Sequence, residues 1–182
     1  KFDLMGPDAF EVLDGLCANR LPKVGRIGLN YFLTPTGRVE SEMTVTRLAD
    51  DHFYLNSAIA GTEHDLDWLR QHVLPGEDVV VDDWTDRMGI LAVTGPQARD
   101  VLAACTDTDL SSDAWPWLTC QQVKIGGVDC ICGFSQGGEL AYVFGTVSDY
   151  QSNTSTPLSC SPEASFRPFS DALIATWMGI AR

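Results

Sequence analysis

Histidines are the first residues in this sequence to consider for chemistry, because imidazole both transfers protons and ligates metals. His52 falls in a predicted strand, whereas His64 and His72 lie eight residues apart on one predicted helix. A helical metal pair needs i, i+4 spacing, so these positions predict structural or surface histidines and no metal site. The sequence also shows no GxSxG, P-loop or GxGxxG fingerprint, since the glycines of residues 133–138 have the wrong spacing.

Carboxylates are the second candidates. The pairs Glu40/Glu42 and Asp82/Asp83 fall in predicted strands and are typical of solvated strand edges. Strand alternation places Glu42 on the face opposite Met43, and alternation alone predicts that this face meets solvent.

The six cysteines show no zinc-like spacing. Cys130 and Cys132 alternate as neighbours on one strand face, while Cys17 and Cys105 fall on apolar helical faces, where free cysteine is usually a small buried hydrophobe. This pattern predicts reduced, structural cysteines in a cytoplasmic protein.

Charge and composition limit the classes of molecule that are expected to bind this chain. The 182 residues carry 12 Lys and Arg against 25 Asp and Glu, a formal charge of −13, which argues against nucleic acid. No apolar run reaches the length of a membrane span, and no secretion signal is visible. Small molecules and other proteins are therefore the expected partners. Because the chain starts at Lys1, we expect it to be a piece of a longer protein.

A repeated motif indicates internal duplication. Gly6–Leu13 recurs 89 residues later as Gly95–Leu102, with five identities in eight positions. Each copy follows a strand-like run. Glycine allows a sharp exit from the strand, and proline is predicted to take the first helical position, where its missing N–H donor is not needed. Chance recurrence of a common local solution is the alternative, but the extent of the match favours duplication.

Apolar periodicity and turn residues predict the other elements. A helix is predicted at Thr62–Val73, and Pro35-Thr36-Gly37 predicts a hairpin turn. The predicted strands are Lys1–Met5, Ile27–Thr34, Arg38–Leu48, His52–Ser57, Val79–Trp84, Met88–Val93, Cys120–Ile125, Val128–Phe134 and Leu140–Gly145.

The composition changes near Thr146. Residues 1–145 read as one domain of two pseudo-repeats, about 1–88 and 89–145. Residues 146–182 read as a Ser/Thr/Pro-rich extended segment followed by a short helix at Asp171–Ile180.

Seven runs of residues together carry a family resemblance over about residues 1–145. They are Lys1–Ala9, Leu16–Asn19, Gly25–Tyr31, Gly37–Leu48, His64–Leu69, Leu91–Pro96 and Ile125–Val128. This set resembles the folate-binding domain of the glycine-cleavage T-protein (aminomethyltransferase) family. It is most similar to the version fused behind the flavin domain in dimethylglycine and sarcosine dehydrogenases.

The resemblance implies an α+β fold of duplicated, intertwined β/α halves with antiparallel sheets, in a truncated form. It implies tetrahydrofolate as the cofactor and an amine-derived one-carbon donor as the substrate. No flavin site is encoded in this sequence, so the resemblance implies a flavin dehydrogenase partner or a further segment.

The resemblance also implies site residues. In the family, an acid in the strand after a glycine turn contacts the folate nitrogens, and Glu42 occupies that place, where aspartate is more usual. Its face would then cover a pocket. Tyr31 matches a tyrosine near the pterin, with an ordinary half-buried strand aromatic as the alternative, and Asn56 lies near a pocket-lining position.

A second family signature, Tyr-x-Gly-Glu-x-Gly-x-Glu, corresponds to the stretch that begins at Phe134. Glu139 fits its first acid, whose carboxylate would bind the paired N–H donors of a pterin. Ala141 and Val143 stand where the pattern has glycine and glutamate. One anchoring carboxylate is therefore missing.

Three functions follow from the resemblance. The first is tetrahydrofolate-dependent transfer of an aminomethyl or methylene unit. The second is a non-catalytic folate-fold module or degenerate fragment. The third is the related branch that assists iron–sulfur or tRNA chemistry; Cys132–Glu139 is similar to its cysteine motif, but in the wrong order and without the lysine.

Overall fold

The computed structural model describes residues 1–135 and 140–146. The chain forms two compact units. The first comprises Lys1–Thr85 together with Leu118–Cys120, and the second comprises Asp86–Trp117 and the described residues from Gln121 onward. The predicted segment 146–182 lies outside the described residues beyond Thr146, so its division from residues 1–145 stays a prediction.

The first unit is a five-stranded antiparallel sheet with two helices. Its strands lie in the order β2-β3-β4-β1-β5. Its elements are β1 (Phe2–Met5), α1 (Ala9–Leu16), β2 (Arg26–Leu33), β3 (Val39–Ala49), β4 (His52–Asn56), a 3₁₀ turn (Ile59–Gly61), α2 (Thr62–Gln71) and β5 (Val80–Asp83).

One face of this sheet forms the core against the helices. Strand alternation turns one set of apolar side chains towards α1 and α2, and Leu13 and Leu69 from the helices complete the cluster. Arg47 lies at its edge, where its guanidinium stacks 4.7 Å from the ring centre of Phe10 and 5.3 Å from that of Phe53. The strand residues of the core are Phe2, Leu4, Phe32, Met43, Val45, Phe53 and Leu55.

The second unit contains a four-stranded sheet in the order β6-β9-β8-β7. Its core surrounds Trp115 and Phe134, whose rings meet edge to face at 5.5 Å. Arg99 lies 3.9 Å above the Phe134 ring and donates to the carbonyl of Leu110. Its elements are β6 (Met88–Thr94), α3 (Ala98–Ala103), β7 (Cys120–Ile125), β8 (Val128–Ser135) and β9 (Leu140–Thr146).

The repeated motif adopts the same local structure in both units. Gly6 and Gly95 both have positive φ, at 142° and 125°, and each carbonyl accepts a hydrogen bond from the alanine three residues on. The helices begin at Ala9 and Ala98, two residues after the prolines. The prediction that proline takes the first helical position is therefore wrong, because a tight turn comes first.

The predicted strands match the observed ones to within one or two residues at each end. The predicted helix Thr62–Val73 ends earlier, at Gln71, where His72 donates its backbone N–H to the carbonyl of Leu69. The two sheets are antiparallel, as the α+β prediction requires.

Candidate functional site

The face of the first sheet turned away from the helices brings together three predicted site residues. Tyr31 on β2 lies directly opposite Glu42 on β3, and Thr44, two residues further along β3, lies opposite Asn56 on β4. Because alternate residues share a face, Glu42 and Thr44 point the same way. Tyr31, Glu42 and Asn56 therefore occupy neighbouring positions on one surface, although 25 residues separate the first from the last.

The β2–β3 hairpin sets this arrangement. Gly37 has a φ of 78° in the turn, and the Thr34 N–H donates to the Arg38 carbonyl at 2.8 Å. A register shift follows, since Phe32 pairs with Ser41 but Leu33 pairs with Val39. This shift is a β-bulge in which Glu40 is the extra residue. After the bulge, Met43 and Val45 of β3 face the core.

Glu42 and Tyr31 interact across the strands. The Glu42 carboxylate raises the pKa of the Tyr31 phenol, first through a side-chain hydrogen bond and second through its charge. Tyr31 is half-buried, whereas Glu42 is exposed. Strand alternation alone predicted that Glu42 would be exposed. The exposure does not support the alternative hypothesis that Glu42 faces a closed cleft. A catalytic role for Glu42 therefore depends on its position on the sheet and stays a proposal.

Asn56 and Thr44 add uncharged polar groups beside this pair. Both side chains are half-buried. Asn56 is the last residue of β4, directly before the loop that leads to α2. An amide and a hydroxyl at this place offer both donors and acceptors to a bound molecule.

Further along the same face the polar residues become buried. Asp3 is 1% exposed, and its Oδ1 lies 2.6 Å from His52 Nε2. Burial raises the pKa of Asp3, and the hydrogen bond to His52 offsets part of that effect. Among the described residues, Asp3 Oδ2 and Thr46 Oγ1 have no hydrogen-bond partner.

Sequence reasoning missed this buried polar row. Tyr54 shares it, is fully buried, and has its pKa raised mainly by desolvation. The signal was present in Asp3, an acid between the apolar residues Phe2 and Leu4 of a short strand. Such an acid is normally on an exposed face, and only the sheet order shows that it is enclosed.

Glu139 lies outside the described residues. Its contact with a pterin therefore stays a prediction, and so does the consequence of Ala141 and Val143. Ala141 and Val143 lie in β9, where Ala141 pairs with Val93 of β6 and Val143 pairs with Leu91.

The remaining histidines and cysteines have structural surroundings. His64 Nε2 lies 2.9 Å from Glu40 Oε1 and its Nδ1 lies 3.1 Å from Asp65 Oδ1. His72 Nδ1 lies 2.7 Å from the Trp68 carbonyl oxygen. Within the described residues no group of three or more His, Cys, Asp or Glu side chains could hold a metal ion. The five cysteines that the structure describes are free thiols: Cys17, Cys105, Cys120, Cys130 and Cys132.

Among the described residues, no helix is both long enough and apolar enough to cross a membrane.

The sequence is similar to those of several known proteins. The chain is 39% identical to mitochondrial dimethylglycine dehydrogenase of Rattus norvegicus over 144 residues, which are 78% of this chain and 17% of that protein. It is 30% identical to sarcosine oxidase subunit alpha of Rhizobium meliloti (strain 1021) over 158 residues, 82% of this chain and 16% of that one. The chain thus spans less than a fifth of each relative. Because one relative is mitochondrial, the cytoplasmic location stays a prediction.

Structural comparison gives the same fold. The crystal structure of glycine cleavage system aminomethyltransferase T from Bartonella henselae matches with a TM-score of 0.68 at 21% identity, over 95% of this chain and 42% of that one. The predicted aminomethyltransferase fold is therefore confirmed. The family model of the GCVT N-terminal domain matches residues 1–154. From these matches, the chain belongs to the GCVT N-terminal domain family.

Proposed function

We propose that this chain supplies the tetrahydrofolate site of a one-carbon transferase. The observation that carries the proposal is the convergence of Tyr31, Glu42 and Asn56 on one face of the first sheet. Family membership supports it, because relatives are named as an aminomethyltransferase and as dehydrogenases or oxidases of N-methylated glycines.

The groups on this face suit a folate. A pterin is a flat ring system whose edge carries N–H donors and nitrogen acceptors. Glu42 offers an acceptor for the donors, Asn56 offers both kinds of group, and the Tyr31 ring offers an aromatic surface. The residues present therefore fit this cofactor.

The proposed chemistry assigns one task to each residue. Bound tetrahydrofolate would supply the nitrogen that takes up the one-carbon unit from an amine-derived donor. A Glu42 carboxylate oxygen accepts a proton from that nitrogen as general base. Tyr31 keeps its phenolic proton, because Glu42 raises its pKa, and so holds the carboxylate in place by a hydrogen bond. Asn56 orients the ring edge.

The donor is expected to come from elsewhere. A flavin dehydrogenase, as a partner or a further segment, would oxidise an N-methylated amine to the iminium that delivers the carbon. A one-carbon unit of that kind reacts readily with water, so a folate site in the same assembly would capture it.

Binding is the first test. Calorimetric titration with 5-formyltetrahydrofolate is expected to give saturable binding to the chain, weakened in Tyr31→Phe and in Asn56→Ala. Glu63→Gln changes an exposed acid in the first turn of α2 and should bind the folate as the unmodified chain does. Absence of binding to the unmodified chain would contradict the proposal.

Glu42→Gln is the sharpest test of catalysis. Glutamine keeps the size and hydrogen-bonding capacity of Glu42 but removes its basicity, so folding should be unchanged. Transfer from a supplied iminium donor to tetrahydrofolate should fall by about 10²–10⁴, the usual contribution of a general base. Transfer within a few-fold of the unmodified chain would show that Glu42 is not the base.

The exposure of Glu42 is the observation that favours the second candidate, a non-catalytic folate-fold module or degenerate fragment. A module of this kind would bind the folate without transferring carbon. Saturable titration together with no transfer in the unmodified chain, when the donor is supplied directly, would select it.

A further inference from the structure

His64, in the first turn of α2, contacts a carboxylate through each of its two ring nitrogens. Its Nε2 lies 2.9 Å from Glu40 Oε1, and its Nδ1 lies 3.1 Å from Asp65 Oδ1. A neutral imidazole carries one N–H donor and one lone pair, whereas an imidazolium carries two N–H donors. Because an ionised carboxylate can only accept, both hydrogen bonds form together only while the ring is protonated. The geometry is therefore that of a cation between two anions.

The two carboxylates differ in their exposure. The Asp65 side chain is 7% exposed, and a Cβ at Gly61 would come 3.2 Å from its Oδ2. The Glu40 side chain is 27% exposed and belongs to a strand 24 residues away along the chain. An unpaired carboxylate costs more free energy when it is buried than when water reaches it. When His64 loses its proton, the contact with Glu40 should therefore break first.

Glu40 is the extra residue of the β3 bulge, and the bulge redirects its side chain. In a regular strand Glu40 would share a face with Glu42, two residues further on. The bulge lets it reach α2 instead, and α2 packs on the core side of the sheet. The contact with His64 thus holds the bulge, and the bulge sets the register that places Glu42 opposite Tyr31.

His64 also follows closely after the strand that carries Asn56. The loop after β4 and the first two residues of α2 separate Asn56 from His64. The contact with Glu40 therefore joins two stretches of chain that carry proposed site residues: the hairpin end of β3, with Glu42, and the chain that leaves β4 after Asn56.

The charged groups around His64 favour its protonated form. Among the described residues, the hydrogen bond to Asp65 and then that to Glu40 raise the pKa of His64 above its ordinary value of 6.5, and burial opposes them. Asp65 also interacts with the N-terminal ammonium of Lys1, as does Asp83 of β5. The ring therefore keeps its charge to a higher pH than an isolated histidine.

We propose, on the basis of the proposed function, that protonated His64 is a positioning residue of the one-carbon site, which holds the β3 bulge against α2 and so keeps Glu42 opposite Tyr31. When the ring is neutral, Glu40 is released and the hairpin end of β3 no longer keeps one register. Only a fraction of the molecules then presents the Glu42 acceptor to a pterin, and the affinity for folate falls by that fraction. In this role His64 acts through Glu40.

The pH dependence of folate binding tests this role. Calorimetric titration with 5-formyltetrahydrofolate is carried out between about pH 6 and about pH 8.5, the range in which a histidine with a raised pKa loses its charge. The Kd of the unmodified chain should rise about three- to tenfold over this range. H64Q should show the weaker affinity at every pH, because an uncharged amide replaces two charged donors.

Two further variants separate the charge of the ring from its packing. H64R supplies a permanently charged fork of N–H donors, so the tight binding should persist to the highest pH. In E40Q the new amide can donate to Nε2 of a neutral ring while Nδ1–H donates to Asp65, so the contact should survive deprotonation and the pH dependence should vanish. H72Q is the matched control, since His72 contacts a backbone carbonyl, and it should retain the pH dependence.

Backbone amide signals in NMR spectra give a measurement that needs no folate. The amides of Glu40, Ser41 and Glu42 should shift as His64 titrates in the unmodified chain and should stay constant over the same range in H64R. Circular dichroism at about pH 6 shows which variants keep the fold. If H64Q does not fold, H64R and E40Q still decide between the outcomes.

The outcomes separate this inference from the proposed function. If the β3 amides follow His64 but no folate binds, His64 holds the bulge and the folate function is wrong. If folate binds with a pH dependence that H64R retains, the dependence arises elsewhere, for example at His52, and the inference is wrong. Binding that is independent of pH in the unmodified chain also overturns the inference and leaves the folate site in place.

Discussion

At the scale of single residues, His64 joins the site-bearing hairpin to α2. Its two ring nitrogens contact Glu40 of the β3 bulge and Asp65 of the helix. The hydrogen bond to Asp65, then that to Glu40, raises the pKa of His64 above 6.5. Because Glu40 lies two residues before Glu42, this contact helps to fix the part of β3 that carries the proposed base.

The raised pKa of His64 predicts a pH dependence of stability. A histidine with a raised folded pKa contributes stability that is fully present below about pH 6.5 and is lost as the pH rises through the folded value. The midpoint of urea unfolding should therefore be higher at about pH 6 than at about pH 8. The difference is expected to be small, since His64 is 54% exposed.

His64→Gln should reduce that pH difference, and His72→Gln, on the same helix, should leave it in place. His72 is the suitable control because its Nδ1 contacts a backbone carbonyl rather than a carboxylate. An unchanged pH difference in His64→Gln would assign the dependence to other groups.

Among the secondary-structure elements, the two copies of the strand–glycine–helix motif are packed differently. In the first unit Gly6 packs against the backbone of Asp78, and Asp8 Oδ2 accepts the Asp78 N–H at 2.8 Å. In the second unit no atom of the described residues lies within 4 Å of the place that a Cβ would take at Gly95, and Gln97 replaces the aspartate. One local sequence solution therefore meets close packing in one unit and open space in the other.

A glycine series tests that difference. Gly6→Ala should destabilise the chain by about 3 kcal/mol or more, because positive φ combines with overlap on the Asp78 carbonyl. Gly95→Ala should cost only about 1–2 kcal/mol, the conformational part. Gly15→Ala, inside α1 with open space at its Cβ, should stabilise by about 0.5–1 kcal/mol.

Urea unfolding of the three variants gives their free energies of unfolding. Equal m-values would show that all three expose the same amount of surface when they unfold. Equal losses for Gly6→Ala and Gly95→Ala would mean that the close approach to Asp78 relaxes without cost.

At the scale of the whole molecule, the charge of −13 dominates. Self-repulsion of a strongly charged chain opposes the compact state, and salt screens it. Few described ion pairs offset this, and those formed by Arg47 and Lys124 are partly or fully exposed. Electrostatics should therefore destabilise the fold at low ionic strength.

Raising NaCl from about 20 mM to about 300 mM should increase the free energy of unfolding by about 1 kcal/mol and the melting temperature by about 2–4 °C. Thermal unfolding followed by circular dichroism measures it. A lower melting temperature in salt would show that attractive ion pairs outweigh the repulsion.

Local sequence patterns predicted the helices and strands and most of the candidate residues. Period-two alternation, glycine at turn positions and the repeated Gly-Pro motif are local signals, and strand and helix formation is governed locally. They located β2, β3 and the hairpin turn at Gly37, and the family resemblance then singled out Tyr31, Glu42 and Asn56. Alternation also predicted the exposure of Glu42.

Which of these residues lie next to one another depends on how the strands pair. The register of β2 on β3 places Tyr31 opposite Glu42, and the bulge at Glu40 sets that register. The sheet order encloses Asp3, which the sequence shows only as an acid in a strand. Each of these depends on contacts between distant residues, and no local pattern encodes such contacts.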